Sequence, residues 1–339
     1  TCVYTLTKMG YIKRIPAEGY RAQRRGGRGM SGLSTREEDV ADTLFVGSTH
    51  DHILFFTTRG RAFRLKGYRI PEAGRTAKGT NIINLLQLDN DEKVTAMLRV
   101  DEFTDEYYLT TVTEKGIIKR LQLSELVNIR RSGIRALGID EDDRLISVML
   151  TDGGSDILIG TRNGQAVCFN EQNVRPMGRA ARGVIGIRLA ADDWVIGACS
   201  PEKGQMVLTV TENGYGKMTP QEEFPRHNRG GKGVVLHNTT GKTGPVAALT
   251  VSDGVEDIIL ITSEGTVIRT AADSLRVCGR SSQGVIVMRT GEGERVVTLA
   301  KTEREDVDNP VDNMEDTVDN SAEDESDSEE ENAGEDAYA

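Results

Sequence analysis

The sequence predicts an all-β fold, namely a six-bladed, propeller-like array with about 50 residues and four short strands per blade. Two observations predict it. A strand–turn–strand pattern recurs six times along the 339 residues, and a second glycine follows each of these hairpins at a nearly constant distance. Helical periodicity is almost absent, and only Leu123–Val127 suggest a turn of helix.

Each predicted hairpin consists of two runs rich in Val, Ile, Leu, Thr and aromatic residues, with a glycine in the turn between them. Asn163-Gly164 and Asn213-Gly214 are the pairs most typical of a two-residue turn, which needs positive φ. The first run is often apolar on both faces, as in Ile258–Ile261, which indicates a strand covered on both sides. The six turn glycines are Gly10, Gly60, Gly116, Gly164, Gly214 and Gly265.

The second glycine follows the turn glycine by 19 residues in five repeats and by 17 in the third. A short strand comes next in each repeat, such as residues 184–187, and then a fourth strand, such as residues 194–198. These two strands complete the predicted blade. The second glycines are Gly29, Gly79, Gly133, Gly183, Gly233 and Gly284.

The loop beside each second glycine carries Arg or Lys in all six repeats. If the blades are arranged radially, these loops form a band of positive charge, which suits the backbone of a nucleic acid. Neighbouring glycines let the main chain approach phosphates closely. The loops contain no helix that could read base edges, so we expect little sequence specificity. The candidate DNA-binding residues are Gln23, Arg24, Arg25, Gly26, Gly27, Arg28, Gly29, Arg75, Lys78, Arg130, Arg131, Arg135, Arg179, Arg182, Arg229, Lys232 and Arg280.

A second basic series lies four residues after the turn glycine in four of the repeats. Its members could contact DNA, or they could belong to an ordinary solvated face of a strand. The sequence leaves both interpretations open. The series consists of Arg14, Arg64, Arg120 and Arg269.

The net charge of −11 conceals two regions of opposite sign. Residues 303–339 contain 17 acidic residues and one basic residue, whereas residues 1–302 contain 41 basic and 36 acidic residues and carry +5. Such asymmetry indicates a nucleic-acid partner, or an internal competitor for one. The acidic segment has few apolar residues and is predicted to be disordered. The predicted domain therefore covers residues 1–302, with a tail over residues 303–339.

Several other classes of protein are disfavoured. No apolar run approaches the ~18 residues of a membrane helix, and no signal peptide is evident. The four cysteines are far apart, which argues against a disulfide framework or a zinc site and favours a reducing cytosol. We also expect no metal at His50–His52, which lacks a matching cluster, and no Walker A loop around Gly241. The chain begins at Thr1, so we expect it to be a piece of a longer protein.

One string carries a specific resemblance. QRRGGRG at Gln23–Gly29 resembles the gyrase A box, whose pattern is Q-R-R-G-G-K/R-G, in the C-terminal domains of DNA gyrase A proteins. HNRGGKG at His227–Gly233 is similar to a degraded copy of it. The sixfold repeat, its period and the acidic tail match that family too, and the resemblance covers residues 1–302.

This resemblance implies a six-bladed β-pinwheel, a propeller variant in which hairpins are exchanged between neighbouring blades. It implies that residues 1–302 bend and wrap duplex DNA around a basic rim with a fixed hand, and that the box in blade one is needed for wrapping. In the family, such wrapping lets the parent gyrase introduce negative supercoils in an ATP-dependent manner.

The resemblance also implies what this chain lacks. The DNA-cleaving tyrosine belongs to the N-terminal half of gyrase A, so we expect no enzyme activity of this chain alone and assign that role to none of its tyrosines. We expect no cofactor here, since ATP and Mg²⁺ would be used by other parts of the enzyme. The implied partners are duplex DNA, the gyrase A N-terminal domain and the gyrase B protein in an A2B2 complex, in the cytoplasm at the nucleoid. The isolated domain is expected to be a monomer.

Three alternatives remain at this point. The first is the C-terminal domain of the topoisomerase IV protein that corresponds to gyrase A, which has a similar array with a lost or degenerate box and would sense DNA geometry. The second is a propeller-type scaffold for protein interactions, which needs no basic band. The third is an RGG-type RNA binder, suggested by Arg25–Gly29, although such tracts are usually long and disordered.

Overall fold

The computed structural model describes residues 2–16, 41–74, 77–264, 266–302 and residue 304. Within this part of the chain, 23 strands form six antiparallel sheets. In chain order the strands are β1 (Cys2–Thr7), β2 (Tyr11–Pro16), β3 (Ala41–Gly47), β4 (His52–Thr57), β5 (Arg61–Lys66), β6 (Thr80–Asn81), β7 (Val94–Val100), β8 (Tyr108–Thr113), β9 (Ile117–Gln122), β10 (Ile134–Arg135), β11 (Leu145–Thr151), β12 (Asp156–Thr161), β13 (Gln165–Asn170), β14 (Val184–Ile185), β15 (Val195–Cys199), β16 (Met206–Thr211), β17 (Tyr215–Pro220), β18 (Val234–Val235), β19 (Val246–Ser252), β20 (Asp257–Thr262), β21 (Val267–Ala271), β22 (Val285–Ile286) and β23 (Val296–Thr302).

The architecture is the predicted six-bladed array. Sheets 1 to 6, named in chain order, have the strand orders β3-β1-β2-β6, β10-β5-β4-β7, β11-β8-β9-β14, β15-β12-β13-β18, β19-β16-β17-β22 and, within the described residues, β21-β20-β23. Two strands of each sheet form the predicted hairpin. The predicted strand after Gly29 and the predicted tail, apart from Arg304, lie outside the described residues.

Each short strand leaves its own repeat and joins the preceding sheet. β14, for example, follows the fourth hairpin but pairs with β9 of the third, with Val184 opposite Ile118. β6, β10, β18 and β22 make the equivalent pairing. Neighbouring blades are therefore joined by exchanged strands, as the β-pinwheel interpretation requires.

The strand at the other edge of each sheet points to the centre of the array. These innermost strands are β3, β7, β11, β15, β19 and β23, and each contacts the innermost strand of the next sheet. β23 also contacts β3, so the cycle closes. The short exchanged strands are consequently on the outside.

The hydrophobic core lies between neighbouring sheets rather than in one central cluster. On β4, Leu54 and Phe56 cluster with Leu109 of sheet 3, whereas Ile53 and Phe55 cluster with residues of sheet 1. All five side chains have no exposed surface. Burial of each contributes about 1.5–3 kcal/mol. This two-sided burial explains why the first strand of a hairpin is apolar on both faces.

The hairpin turns differ from the two-residue turns predicted from Asn-Gly. In the fourth hairpin the amide of Gly164 donates to the carbonyl of Thr161 at 3.0 Å, so glycine is the fourth residue of the β-turn. Its φ is +83°, the left-handed conformation that follows such a turn in a three-residue hairpin loop. The same bond is formed by Gly10, Gly60, Gly116 and Gly214, whereas Gly265 lies outside the described residues.

The helical turn predicted near residue 123 is a 3-10 turn, Leu123–Leu126. Equivalent turns follow the second hairpin strand of repeats two, four, five and six. They are Gly67–Arg69, Glu171–Asn173, Gln221–Glu223 and Ala272–Ser274, and a further 3-10 turn spans Ile82–Asn84.

Candidate nucleic-acid interface

The basic loops of repeats two to six lie at the outer edge of the array. Each of these five loops leads directly into a short exchanged strand, and that strand is the outermost of its sheet. The loop of repeat four, residues 178–183, thus precedes β14 at the edge of sheet 3. Loops from successive repeats are placed on successive sheets, so their cations follow one another around the outside.

The second glycine of repeats two to six is needed because the backbone there has positive φ and passes close to the neighbouring sheet. Gly183 has φ +111°, and a Cβ there would overlap the carbonyl oxygen of Ile118 on β9. Gly233 has φ +89°, and its Cβ would be 2.5 Å from the carbonyl oxygen of Ala166 on β13. Glycine therefore lets the main chain turn tightly into the exchanged strand. Gly79, Gly133 and Gly284 make the same kind of approach.

Most of the predicted cations that the structure describes are exposed to solvent. Within the described residues, five of them form neither an ion pair nor a hydrogen bond through their side chains: Arg130, Arg131, Arg135, Arg179 and Lys232. Two others are exposed but engaged, since Arg182 pairs with Asp140 at 2.6 Å and Lys78 lies 4.1 Å from the centre of the Tyr11 ring. The box, Gln23–Gly29, and Arg75 lie outside the described residues.

Two predicted cations are partly used to connect neighbouring loops. Arg229 donates to the carbonyls of Asn173 at 3.0 Å and Ile185 at 3.1 Å, and Arg280 donates to the carbonyl of Val235 at 3.0 Å. A guanidinium has five N–H donors, so each retains donors for a phosphate. These two arginines thus connect the outer edges of adjacent blades.

The second basic series has a structural role that neither sequence interpretation foresaw. Arg14 donates to the carbonyl of Ile70 at 2.8 Å, Arg64 to Val127 at 2.7 Å, and Arg120 to Val174 at 2.8 Å. Each acceptor directly follows the 3-10 turn of the next repeat.

Ion pairs accompany these contacts. Arg14 pairs with Glu72 at 2.9 Å, the buried Arg120 lies 3.5 Å from the buried Glu171, and Arg269 pairs with Asp257 at 2.9 Å. Arg14, Arg64 and Arg120 therefore connect one blade to the next. Arg269 stabilises its own hairpin.

Sequence reasoning missed two buried lysines beneath the basic loops. Lys119 and Lys217 are almost fully buried, and their ammonium groups donate to loop carbonyls. Burial lowers the pKa of both lysines to about 8. The signal that could have found them is positional: lysine lies three residues after the turn glycine in repeats one, three and five, where the other repeats have Phe63, Val167 and Ile268.

The described residues offer little else that suggests chemistry. They contain no cluster of three or more His, Cys, Asp or Glu suited to a metal. At His50–His52, the Nε2 of His52 lies 3.0 Å from the ammonium of Lys66, and burial, aided by Lys66, lowers the pKa of the imidazole. Among the residues described, no helix is long and apolar enough to span a bilayer.

Three comparisons with known proteins bear on this arrangement. The family model described as "DNA gyrase C-terminal domain, beta-propeller" matches residues 3–46, 51–101, 107–152, 155–198, 205–251 and 256–303, one segment per repeat. The DNA gyrase A protein of Staphylococcus epidermidis (strain ATCC 12228) is 45% identical over 307 residues, which cover 90% of this chain and 34% of that protein. The chain therefore spans about a third of the length of that relative.

Two solved structures have the same fold. The C-terminal domain of DNA topoisomerase IV aligns with a TM-score of 0.76 and 25% identity, over 89% of this chain and 93% of that one. The C-terminal domain of DNA gyrase A aligns with a TM-score of 0.71 and 24% identity, over 88% and 99%. The pinwheel prediction and the gyrase resemblance are thereby confirmed. The chain belongs to the family of DNA gyrase C-terminal domains, which are β-propellers and form one non-catalytic domain of a larger enzyme protein.

Proposed function

We propose that this chain binds, bends and wraps duplex DNA around its outer edge, without sequence specificity and with a fixed hand. One observation carries the proposal: exposed cations occupy the same loop position on successive blades, at the outermost strands of the sheets. A curved row of spaced cations suits a polyanion that follows the rim. The box, Gln23–Gly29, would begin this path.

Bending requires several loops to act together. The persistence length of DNA is ~150 bp, so a 40–90° bend over a short site costs on the order of 1–6 kcal/mol. One loop does not offset this, whereas a series of phosphate contacts does. If the rim contacts 6–10 phosphates, the affinity should fall by about 10³–10⁵ between 50 and 200 mM salt.

Within the parent gyrase, this wrapping would allow ATP-dependent negative supercoiling. The proposed partners are the gyrase A N-terminal domain and the gyrase B protein in an A2B2 complex. We propose no cofactor for this chain, because ATP and Mg²⁺ would act in other parts of the enzyme. The isolated chain is proposed to be a monomer, and the parent enzyme to act on the nucleoid in the cytoplasm.

The decisive experiment separates binding from bending. A duplex of about 40 bp with a fluorophore at each end reports both. Replacing Arg24, Arg25 and Arg28 by Ala should lower end-to-end energy transfer far more than affinity, because entry to the curved path is lost. The matched control replaces Lys203, Lys242 and Arg295, three cations outside the basic loops. Full bending by the box variant would refute the role given to the box.

The handedness of the proposed wrap is tested by the linking number of closed circular DNA. Relaxed circular DNA is incubated with the chain, treated with a relaxing topoisomerase and stripped of protein. We expect a linking change of one sign that grows with the amount of protein. Equal populations of both signs would contradict a wrap of fixed hand.

The topoisomerase IV alternative is kept because that C-terminal domain is similar in fold over most of its length. A domain of that kind would bind DNA in the same assay but leave little net linking change. A propeller scaffold for protein partners, by contrast, would show binding that is insensitive to salt and no affinity for duplex DNA.

A further inference from the structure

Three lysines recur three residues after the turn glycine in alternate repeats, and each reaches a basic loop of the next repeat. Lys13 donates to the carbonyls of Gly74 at 3.3 Å and Ala77 at 2.8 Å. Lys119 donates at 2.8 Å to the carbonyl of Arg179. The loops reached are those of repeats two, four and six.

Among the three lysines, Lys217 is the most deeply buried. Its ammonium donates to the carbonyls of Gly279 at 2.9 Å, Arg280 at 2.6 Å and Ser282 at 3.0 Å, so all three N–H groups are used within one loop. The residue has no exposed surface. Lys119 is 1% exposed and also donates to the carbonyl of Ala136 at 2.8 Å.

Burying a lysine at this position is energetically unfavourable, and the fold does not require a lysine there. Taking an ammonium out of water is strongly unfavourable, and at the same strand position repeats two and four have the apolar Phe63 and Val167, both buried. Within the described residues, neither Lys119 nor Lys217 forms an ion pair with a carboxylate. Backbone carbonyls of the loops therefore supply the compensation.

The geometry of the contact suits a loop that meets phosphates. Carbonyl oxygens carry partial negative charge and would repel a phosphate if they faced outward. The lysine holds several of them inward on a fixed cation, while the side chains of the same loop remain at the surface. A loop fixed in this way also loses less conformational freedom when it binds.

We propose that Lys217 and Lys119 are positioning residues that hold the basic loops of repeats six and four in their DNA-binding conformation. Lys13 does the same, from a more exposed site, for the loop of repeat two. This inference rests on the proposed function, because it assigns DNA binding to those loops.

The contact has a dependence on pH. Burial lowers the pKa of Lys217 to about 8, with Cys278 and Glu223 raising it and Arg280 lowering it, and the buried His237 is close enough to interact as well. For Lys119, burial and Arg179 lower the pKa and Glu125 raises it. Above about pH 8 the amine is neutral and has two hydrogens for the three carbonyls around Lys217. The loop should therefore loosen as the pH rises through that value.

The first arm of the test uses hydrogen exchange without DNA. Lys217→Met removes the ammonium but keeps an unbranched side chain of similar length, and Lys203→Met removes the same charge from an exposed turn. In Lys217→Met, protection factors of amides in residues 279–284 should fall by about tenfold or more, while those of β16 and β17 stay unchanged. Lys203→Met should change neither. Unchanged protection in the loop would overturn the proposal.

The second arm uses the doubly labelled duplex. Lys217→Met should bind about three- to tenfold more weakly than Lys203→Met and bend the duplex less. Wild-type bending should also fall as the pH rises through about 8, and this step should be smaller in Lys217→Met, in which Lys119 still titrates near that pH. A loosened loop with DNA affinity equal to that of the control would overturn the proposal.

Failure of Lys217→Met to fold and failure of the wild type to bind DNA each have a defined consequence for the proposal. If Lys217→Met does not fold, Lys13→Met is measured instead, with the amides of residues 77–79 as reporters, and the same results support or overturn the proposal. If the wild-type chain does not bind DNA, the proposed function fails together with the positioning role, while the exchange arm alone reports whether the lysine holds the loop.

Discussion

At the scale of single residues, one threonine per repeat fixes the hairpin turn. It lies three residues before the turn glycine. In all six repeats its Oγ1 accepts a hydrogen bond, at 2.9–3.2 Å, from the backbone amide of the residue after that glycine. This side-chain bond satisfies the amide at the start of the second strand of the hairpin. The threonines are Thr7, Thr57, Thr113, Thr161, Thr211 and Thr262. Their spacing is visible in the sequence, but their role is not, because Thr is common in strands anyway.

The threonine contact predicts the effect of Thr161→Val. The variant keeps the shape of the fully buried Thr161 side chain but leaves the partly buried amide of Gln165 without its acceptor. We expect a loss of about 1–2 kcal/mol in the free energy of unfolding, measured with urea. Thr250→Val, on the half-buried face of β19, is the control and should change the midpoint little. Equal midpoints for the two variants would contradict the role given to Thr161.

A buried histidine predicts a loss of stability in acid. His237 is 1% exposed; its Nε2 donates to the carbonyl of Gln283 at 2.9 Å, which leaves Nδ1 to accept from the Thr209 hydroxyl at 2.8 Å. Burial, assisted by Lys217, lowers the pKa of this imidazole to about 4. The unfolded chain takes up the proton near pH 6.5, whereas the folded chain does not until about pH 4.

Between about pH 6.5 and pH 4 only the unfolded chain binds this proton. The free energy of unfolding therefore decreases as the pH falls through that range. Between about pH 7 and pH 5 the wild type should lose about 2 kcal/mol more than His237→Gln. Urea titrations of both proteins at the two pH values measure this. Parallel losses would show that His237 does not titrate in this way.

At the scale of elements, the exchanged strands decide the architecture. Each contains two residues and pairs with the preceding hairpin through the same register, as Val184 does with Ile118 and Val234 with Ala166. The sequence predicts a short strand after each second glycine, but the residues alone do not indicate which sheet it joins. A two-residue strand forms few hydrogen bonds, and the glycine before it lies against the strand that it joins, as Gly183 does against β9.

Two glycines of one loop provide a matched pair for testing this. Gly183→Ala would place a Cβ against the carbonyl of Ile118 at positive φ, whereas a Cβ at Gly178 meets nothing within 4 Å. We expect Gly183→Ala to lower the free energy of unfolding by at least about 2 kcal/mol and to expose the edge of β9 to hydrogen exchange. Gly178→Ala should be neutral or slightly stabilising. Similar stability of the two variants would count against the steric argument.

At the scale of the whole molecule, the core is divided among the interfaces between sheets, and the innermost strands close the cycle. This leaves the outer edges free for the basic loops. The net charge of −11 is misleading at this scale, since the +5 body and the acidic tail have opposite signs. The tail is a candidate competitor for the basic rim.

Deletion of the acidic tail tests that competition, and the contacts of Arg304 define the residue at which the deletion should begin. Arg304 pairs with Asp273 at 2.9 Å and donates to the carbonyl of Gly254 at 3.2 Å, so the deletion should begin at residue 305. We expect higher DNA affinity at about 50 mM salt and a much smaller gain at about 200 mM, because salt screens the attraction between the tail and the rim. A tail of equal length with Asn and Gln in place of Asp and Glu is the control. Unchanged affinity after truncation would exclude the competition.

The sequence by itself determined the number of blades, the positions of the hairpins and the loops that carry cations, because these are properties of periodic local patterns. Only the tertiary structure decided what each cation does. Arg120 and Lys119 are buried against the next repeat, whereas Arg179 and Lys232 remain exposed. Residue type does not distinguish them. Their roles depend on whether the neighbouring repeat covers them, and that cover comes from the 3-10 turn and the loop of the next repeat, a contact that no local stretch of sequence encodes.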